Sequence, residues 1–285
     1  MRAIDVHCHF GTQAHLESGK PFLDALEKYQ KMKFVPKTEE EMVKEIKECD
    51  VKVLVIGKDT ETSSGLPRIS NEYVSEMVKR YPDTIIGGWA TVDPWKGKIA
   101  LQEARKAITE LNLMGLKFQP ILQNFFPNDR KLYPLYELCV ELKAPVQFHT
   151  GTTLLGTGAP GGLGLKLKYT KPIPYLDDIA ADFPELTIIG CHPSWPWQSE
   201  MIAVALHKGN VFLELSGWLP KYFPAELKRE ISRRLQDKVM FGSDYPAFSH
   251  KRLLEDWEKE GYRDEILEKV FYKNAQRILG LSLEK

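Results

Sequence analysis

Four of the chain's seven histidines stand where apolar runs end. The runs read Ile4-Asp5-Val6-His7-Cys8-His9, Val146-Gln147-Phe148-His149 and Ile188-Ile189-Gly190-Cys191-His192, and a fourth, Met240-Phe241-Gly242-Ser243-Asp244, ends in a carboxylate. Imidazole nitrogen and carboxylate oxygen bind zinc at about 2.0–2.2 Å, and a catalytic ion keeps one position open. Residues two apart on a strand share a face, so His7 and His9 can grip one ion. By the same parity Asp5 lies with His7 and His9, Gln147 with His149, Gly190 with His192, and Gly242 with Asp244. Val6, Phe148, Cys191 and Phe241 are then left to pack against helices. A lone histidine at a strand end is more often a hydrogen-bonded core residue than a ligand; four convergent ends and an acid shift that balance. His7, His9, His149 and Asp244 are the expected ligands. His192 is the expected proton carrier, since an ordinary imidazole titrates near neutrality. Asp244 is a second candidate for moving a proton. Zinc is the expected ion and manganese the alternative, because geometry and availability select the metal along with ligand type. His15, His207 and His250 fall in loops or a helix and receive no role.

Residues so far apart meet only if a fold gathers their strand ends. Runs rich in Val, Ile and Phe predict eight strands, at Arg2–His9, Val51–Gly57, Thr84–Val92, Met114–Gln119, Pro145–Thr150, Leu186–His192, Val211–Ser216 and Val239–Asp244. Helical spacing lies between them, at Glu39–Lys47, Ile69–Tyr81, Gly97–Leu111, Leu132–Leu142, Ile173–Phe183, Gln198–Lys208 and Ala225–Leu235. Strand and helix in alternation predict an α/β fold, a closed (β/α)8 TIM barrel. Its catalytic groups sit at the C-terminal ends of the strands. No Ser/Gly-rich linker divides the chain, so a single domain over 1–285 is expected. Two insertions, 10–38 after the first strand and 151–171 after the fifth, are long enough to be lids over the mouth. The glycines of the second lack the Lys-Ser/Thr ending of a phosphate loop.

Lys plus Arg equals Asp plus Glu at 39 each in 285 residues, so no bulk field recruits nucleic acid or an anionic membrane. The expected partner is a small-molecule substrate. No basic-then-apolar leader opens the sequence and no apolar run reaches about 18 residues, which predicts a cytoplasmic protein. Cys8, Cys49, Cys139 and Cys191 are scattered through predicted elements and read as buried thiols.

Taken in order, His7-Cys8-His9, Phe148-His149-Thr150-Gly151, Cys191-His192-Pro193 and Gly242-Ser243-Asp244-Tyr245-Pro246 resemble the amidohydrolase superfamily. The resemblance covers nearly the whole chain and points to the branch with aminocarboxymuconate-semialdehyde decarboxylase and the aromatic-acid decarboxylases. It implies one divalent metal on His7, His9, His149 and Asp244, with His192 in proton transfer. It also implies a homodimer, to which the apolar insertions would contribute. Lys117 occupies the strand on which dinuclear relatives carboxylate a lysine; two residues short of the strand end, it is expected to be a structural charge below a single metal. Gln119 stands where many relatives carry histidine. Non-oxidative decarboxylation of a small aromatic or unsaturated acid is the implied reaction. Hydrolysis of an ester, lactone or amide is the alternative, and a non-catalytic, metal-free barrel the third reading. A carboxylate substrate calls for a cation, and Arg130 and Arg68 are the candidates, weighed against solvated loop charges. Trp195, Trp197, Trp218 and Phe125 lie beyond strand ends, where they would stack on a planar substrate or close the core.

Overall fold

The computed structural model describes residues 1–282. Its strands are β1 Ala3–Cys8, β2 Val51–Ile56, β3 Ile85–Trp89, β4 Leu116–Phe118, β5 Val146–His149, β6 Ile188–Cys191, β7 Val211–Glu214 and β8 Val239–Met240. All fall within the predicted runs and are shorter, so that His9, His192 and Asp244 lie just past their ladders. Pairing is parallel, in the orders β1-β2-β3 and β4-β5-β6-β7-β8. Backbone bonds join the two sheets along both seams. Between β3 and β4, the Ala90 N–H donates to the Gly115 carbonyl and the Lys117 N–H to the Ala90 carbonyl, each at 2.8 Å. Between β8 and β1, the Val6 N–H donates to the Phe241 carbonyl at 3.1 Å and the Asp244 N–H to the His7 carbonyl at 2.8 Å. The eight strands thus form the expected (β/α)8 barrel.

Parallel neighbours require crossovers, which helices supply. The helix Glu39–Glu48 shows how sequence sets one: Thr38 accepts from the Glu41 N–H, and Glu41 accepts in return from the Thr38 N–H, a capping box that starts the helix. Its Met42 and Ile46 then pack in the main core with Val53 and Val55 of β2. The alternate strand residues Ile4, Leu54, Ile56, Ile189 and Met240 form a second cluster with Trp89, as the two-residue strand period requires.

Strand parity fails at two of the four site strands. On β1, Asp5 pairs with Val53 and Cys8 with Val55, so Val6 and His7 together oppose Leu54. This bulge turns His7 inward while Asp5 faces away. Asp5 accepts from Ser243 Oγ (2.5 Å) and His250 Nε2 (2.8 Å) of the helix His250–Glu258. Val6, expected against helices, joins the inner cluster. On β6, Gly190 faces outward, where a Cβ would lie 2.7 Å from Met201 Sδ. Cys191 faces the opposite way: burial pushes its thiol up, and Lys117 and Glu214 are the charges it feels.

The first insertion forms two helices, Gln13–Gly19 and Phe22–Gln30, and the second forms short turns at Pro160–Gly164 and Leu167–Thr170. Beyond β8 come helical segments that the sequence periodicity left unassigned, His250–Glu258, Asp264–Glu268, Lys269–Lys273 and Asn274–Leu279. All four cysteines are free, Cys49 alone being only half-buried. Among the described residues, no helix is long and apolar enough to cross a membrane.

Candidate metal centre

Two hydrogen-bond relays set the tautomers at the mouth of the barrel. In the first, His7 Nδ1 lies 2.6 Å from Glu214 Oε1. Glu214 is fully buried on β7 and also accepts from the Ser216 N–H (2.8 Å) and Ser216 Oγ (3.0 Å). A carboxylate only accepts, so His7 donates from Nδ1 and keeps a lone pair on Nε2. In the second, His192 Nδ1 donates to the Ser216 carbonyl at 2.9 Å. His192 Nε2 then accepts from His149 Nδ1 at 3.1 Å, which leaves the lone pair of His149 on Nε2. That Nε2 is buried and has no partner among the described residues.

His7 Nε2 lies 3.3 Å from His9 Nε2 and 3.5 Å from Asp244 Oδ1, and Asp244 Oδ1 lies 3.4 Å from His9 Nε2. Donors about 2.0–2.2 Å from a tetrahedral ion stand about 3.3–3.6 Å apart. The three edges match that spacing, and the orphaned Nε2 of His149 supplies a further donor, so these residues fit a divalent cation. His149 is outside the triangle, reached through His192, whose ring centroid is 5.0 Å from that of His7 and 4.8 Å from that of His149. Close approach depends on two glycines. A Cβ at Gly242 would lie 2.3 Å from Glu214 Oε2, and one at Gly217, where φ is +73°, would lie 2.9 Å from His192 Nδ1.

Burial is the main cause that holds His7, His9 and His192 well below the ordinary imidazole pKa and takes His149 down to about 3. The Lys117 ammonium is next for His7 and His149. Burial, then the Glu214 charge, raises Asp244 to about 7. Neutral imidazoles follow, as ligation requires. Lys117 lines an adjoining small void with Asp59 and Gln123 rather than the main cavity, and Lys58 and Gln119 line both.

That main cavity, about 310 Å³, opens directly on the histidines and Asp244. Leu16, Leu23 and Leu26 of the first insertion and Leu154 and Leu155 of the second roof it, and Trp218 forms part of the wall. The other proposed substrate-binding residues lie elsewhere. Arg130, 81 % exposed, stacks on Tyr133 at 4.8 Å and sits 3.7 Å from Asp182, because the turn it opens leads into the outer helix Tyr133–Glu141. Arg68 pairs with Glu103 at 2.9 Å. Trp195 leans on Trp218 from outside, 6.2 Å between rings, and Trp197 lies under Lys171. Phe125 packs edge-on against Phe118 in the core.

Three site residues escape the sequence reading: His15 and Lys58, which line the cavity, and Glu214. Signals for two were present. Lys58 directly follows the second predicted strand, Val51–Gly57, near the rim where His149 stands in the fifth, and Glu214 is a lone acid within Val211-Phe212-Leu213-Glu214-Leu215.

The family model described as Amidohydrolase matches residues 4–281. The chain belongs to the amidohydrolase family. No curated protein matches this amidohydrolase in sequence. Among solved structures, an uncharacterized TIM-barrel protein of Bordetella bronchiseptica is 24 % identical, with a TM-score of 0.78 over 98 % of this chain and 99 % of that one. The 5-carboxyvanillate decarboxylase of Sphingomonas paucimobilis is 18 % identical, with a TM-score of 0.68 over 99 % of each chain. That of Novosphingobium aromaticivorans, complexed with manganese and 4-hydroxy-3-methoxy-5-nitrobenzoic acid, is 16 % identical, with a TM-score of 0.69 over 98 % of this amidohydrolase and 96 % of its own chain. At these identities the likeness is one of fold.

Proposed function

We propose that the protein is a mononuclear, divalent-metal-dependent decarboxylase of a small aromatic or unsaturated carboxylic acid. The observation that carries this reading is the triangle of His7, His9 and Asp244 opening straight onto a mostly apolar cavity. His7, His9, Asp244 and His149 would hold the ion, and a mixed imidazole and carboxylate set suits manganese or zinc. Manganese accompanies the 5-carboxyvanillate decarboxylase of the same fold. Bound there, the cation supplies Lewis-acid charge opposite the substrate's oxygens.

The chain's own groups do the rest. The leucines of the two insertions and Trp218 hold a flat apolar body and keep water from the reacting carbon. The bond from that carbon to the carboxyl group breaks, its electron pair stays on the carbon, a proton joins it there, and carbon dioxide leaves. His192 and Asp244 both line the cavity and are the carriers for that proton. Ser216 holds His192 Nδ1, so a proton passes to or from His192 at Nε2 once that nitrogen leaves the hydrogen bond from His149 Nδ1.

The test is a panel of hydroxylated benzoates and unsaturated dicarboxylates, assayed for carbon dioxide release with manganese or zinc supplied. Release from at least one acid is expected. Cleavage of esters or lactones with no carbon dioxide from any acid would replace the decarboxylase by a hydrolase.

A further inference from the structure

Lys58 stands at the C-terminal end of β2 with its side chain turned into the cavity, 8 % exposed. It is the one lysine or arginine among the described cavity-lining residues. Its ammonium makes a single hydrogen bond, donated to the Ser18 carbonyl at 2.6 Å at the end of the helix Gln13–Gly19. An ammonium has three protons to donate. Among the described residues no carboxylate pairs with it: Asp59, its neighbour in the chain, turns away to Lys96 at 3.0 Å and Arg68 at 3.9 Å. Burial alone pulls the Lys58 pKa down to about 8. Beside it, His15 closes the same wall, 5.4 Å from the His9 ring, and its buried Nδ1 also lacks a partner.

A buried charge with one carbonyl acceptor and no counter-charge is costly, and such groups in native proteins are met by an ion of opposite sign. Here the fold supplies none, and the open side of the ammonium is the cavity. We propose that Lys58, with His15 beside it, is an anion subsite for a second carboxylate of the substrate, whose first carboxylate faces His7, His9 and Asp244. The substrate is then a small, apolar-bodied dicarboxylic acid. One ammonium beside one imidazole, with no arginine fork, suits a singly charged carboxylate better than a phosphate dianion. The assignment rests on the decarboxylase reading for which carboxylate is lost; the subsite itself rests on Lys58.

The probes are benzene-1,3-dicarboxylate and 3-carbamoylbenzoate, which keeps one carboxylate and replaces the other by a neutral amide. Calorimetric titration of metal-loaded wild-type protein should show the dicarboxylate bound about tenfold or more tighter. Lys58→Met should bring the two probes within about twofold, and Lys58→Arg should restore part of the gap. Equal affinities in the wild type, or a preference that survives Lys58→Met, overturns the proposal. Should Lys58→Met fail to fold, a crystal structure of the wild-type dicarboxylate complex decides: a carboxylate hydrogen-bonded to Lys58 Nζ supports the subsite, and one placed elsewhere overturns it. A charge preference without carbon dioxide release from any acid would sink decarboxylation and leave the subsite standing. Release from a monoacid without that preference would do the reverse.

Discussion

The floor and the roof of the cavity are built by different physics. On the floor, Glu214 holds His7 and Ser216 holds His192 through buried hydrogen bonds of 2.6–2.9 Å, each with a defined direction. The roof is held mainly by packing: the Lys58 bond to the Ser18 carbonyl aside, neither of the helices Gln13–Gly19 and Phe22–Gln30 has a side-chain cap, and its segments leave Tyr29, Leu154 and Leu163 exposed. Hydrogen bonds orient, whereas apolar burial is non-directional. The floor therefore fixes which atoms can hold an ion or move a proton, and the roof fixes the size and shape of what reaches them. Substitutions on the floor should act on metal content and turnover, and substitutions around the roof on KM.

The largest effect should come from His149→Ala, which removes the orphaned Nε2. Elemental analysis is expected to fall from about one metal per chain toward zero, and activity with it. Full metal occupancy in that variant would take His149 out of the ligand set. His192→Asn comes next: metal is retained and kcat falls about 10²–10⁴-fold, the range of a lost proton carrier. Unchanged kcat would leave the proton to Asp244. Glu214→Gln is gentler, because the amide still fills the space but no longer compels donation from His7 Nδ1. Metal affinity, measured by competition with a chelator, should weaken about 10–100-fold. A smaller change would mean that Gly242 and the β1 bulge orient His7 without help.

The barrel was legible because eight apolar runs alternate with helical spacing, and the ligand candidates because each ends a run. Parity was a sound guide where strands are regular, as for Gln147 and His149, which both face inward, Gln147 donating to the Val6 carbonyl. It failed at Asp5 and Gly190 because a bulge in β1 and a bend at His192 each break the two-residue period, and neither leaves a local signature in the residues. Glu214 is a single acid in an apolar strand, and its partner His7 lies 207 residues away, so nothing local in the sequence marks its role. The loop arginines Arg68 and Arg130 lie outside the cavity, while Lys58, just past the end of β2, follows the same positional rule as the histidines.

Arg130 and Arg68 give the smallest expected effect and the sharpest boundary for the roof. Both are solvent-facing and already paired, Arg130 with Asp182 and the Tyr133 ring, Arg68 with Glu103. Exposed pairs of this kind contribute little, so alanine at either position should shift KM for an acid substrate by less than about twofold and leave kcat unchanged. A tenfold rise in KM for Arg130→Ala would show that the loop at 127–130 reaches the substrate when it is bound. The roof would then extend past the second insertion, and cavity wall and outer surface would merge on that side of the barrel.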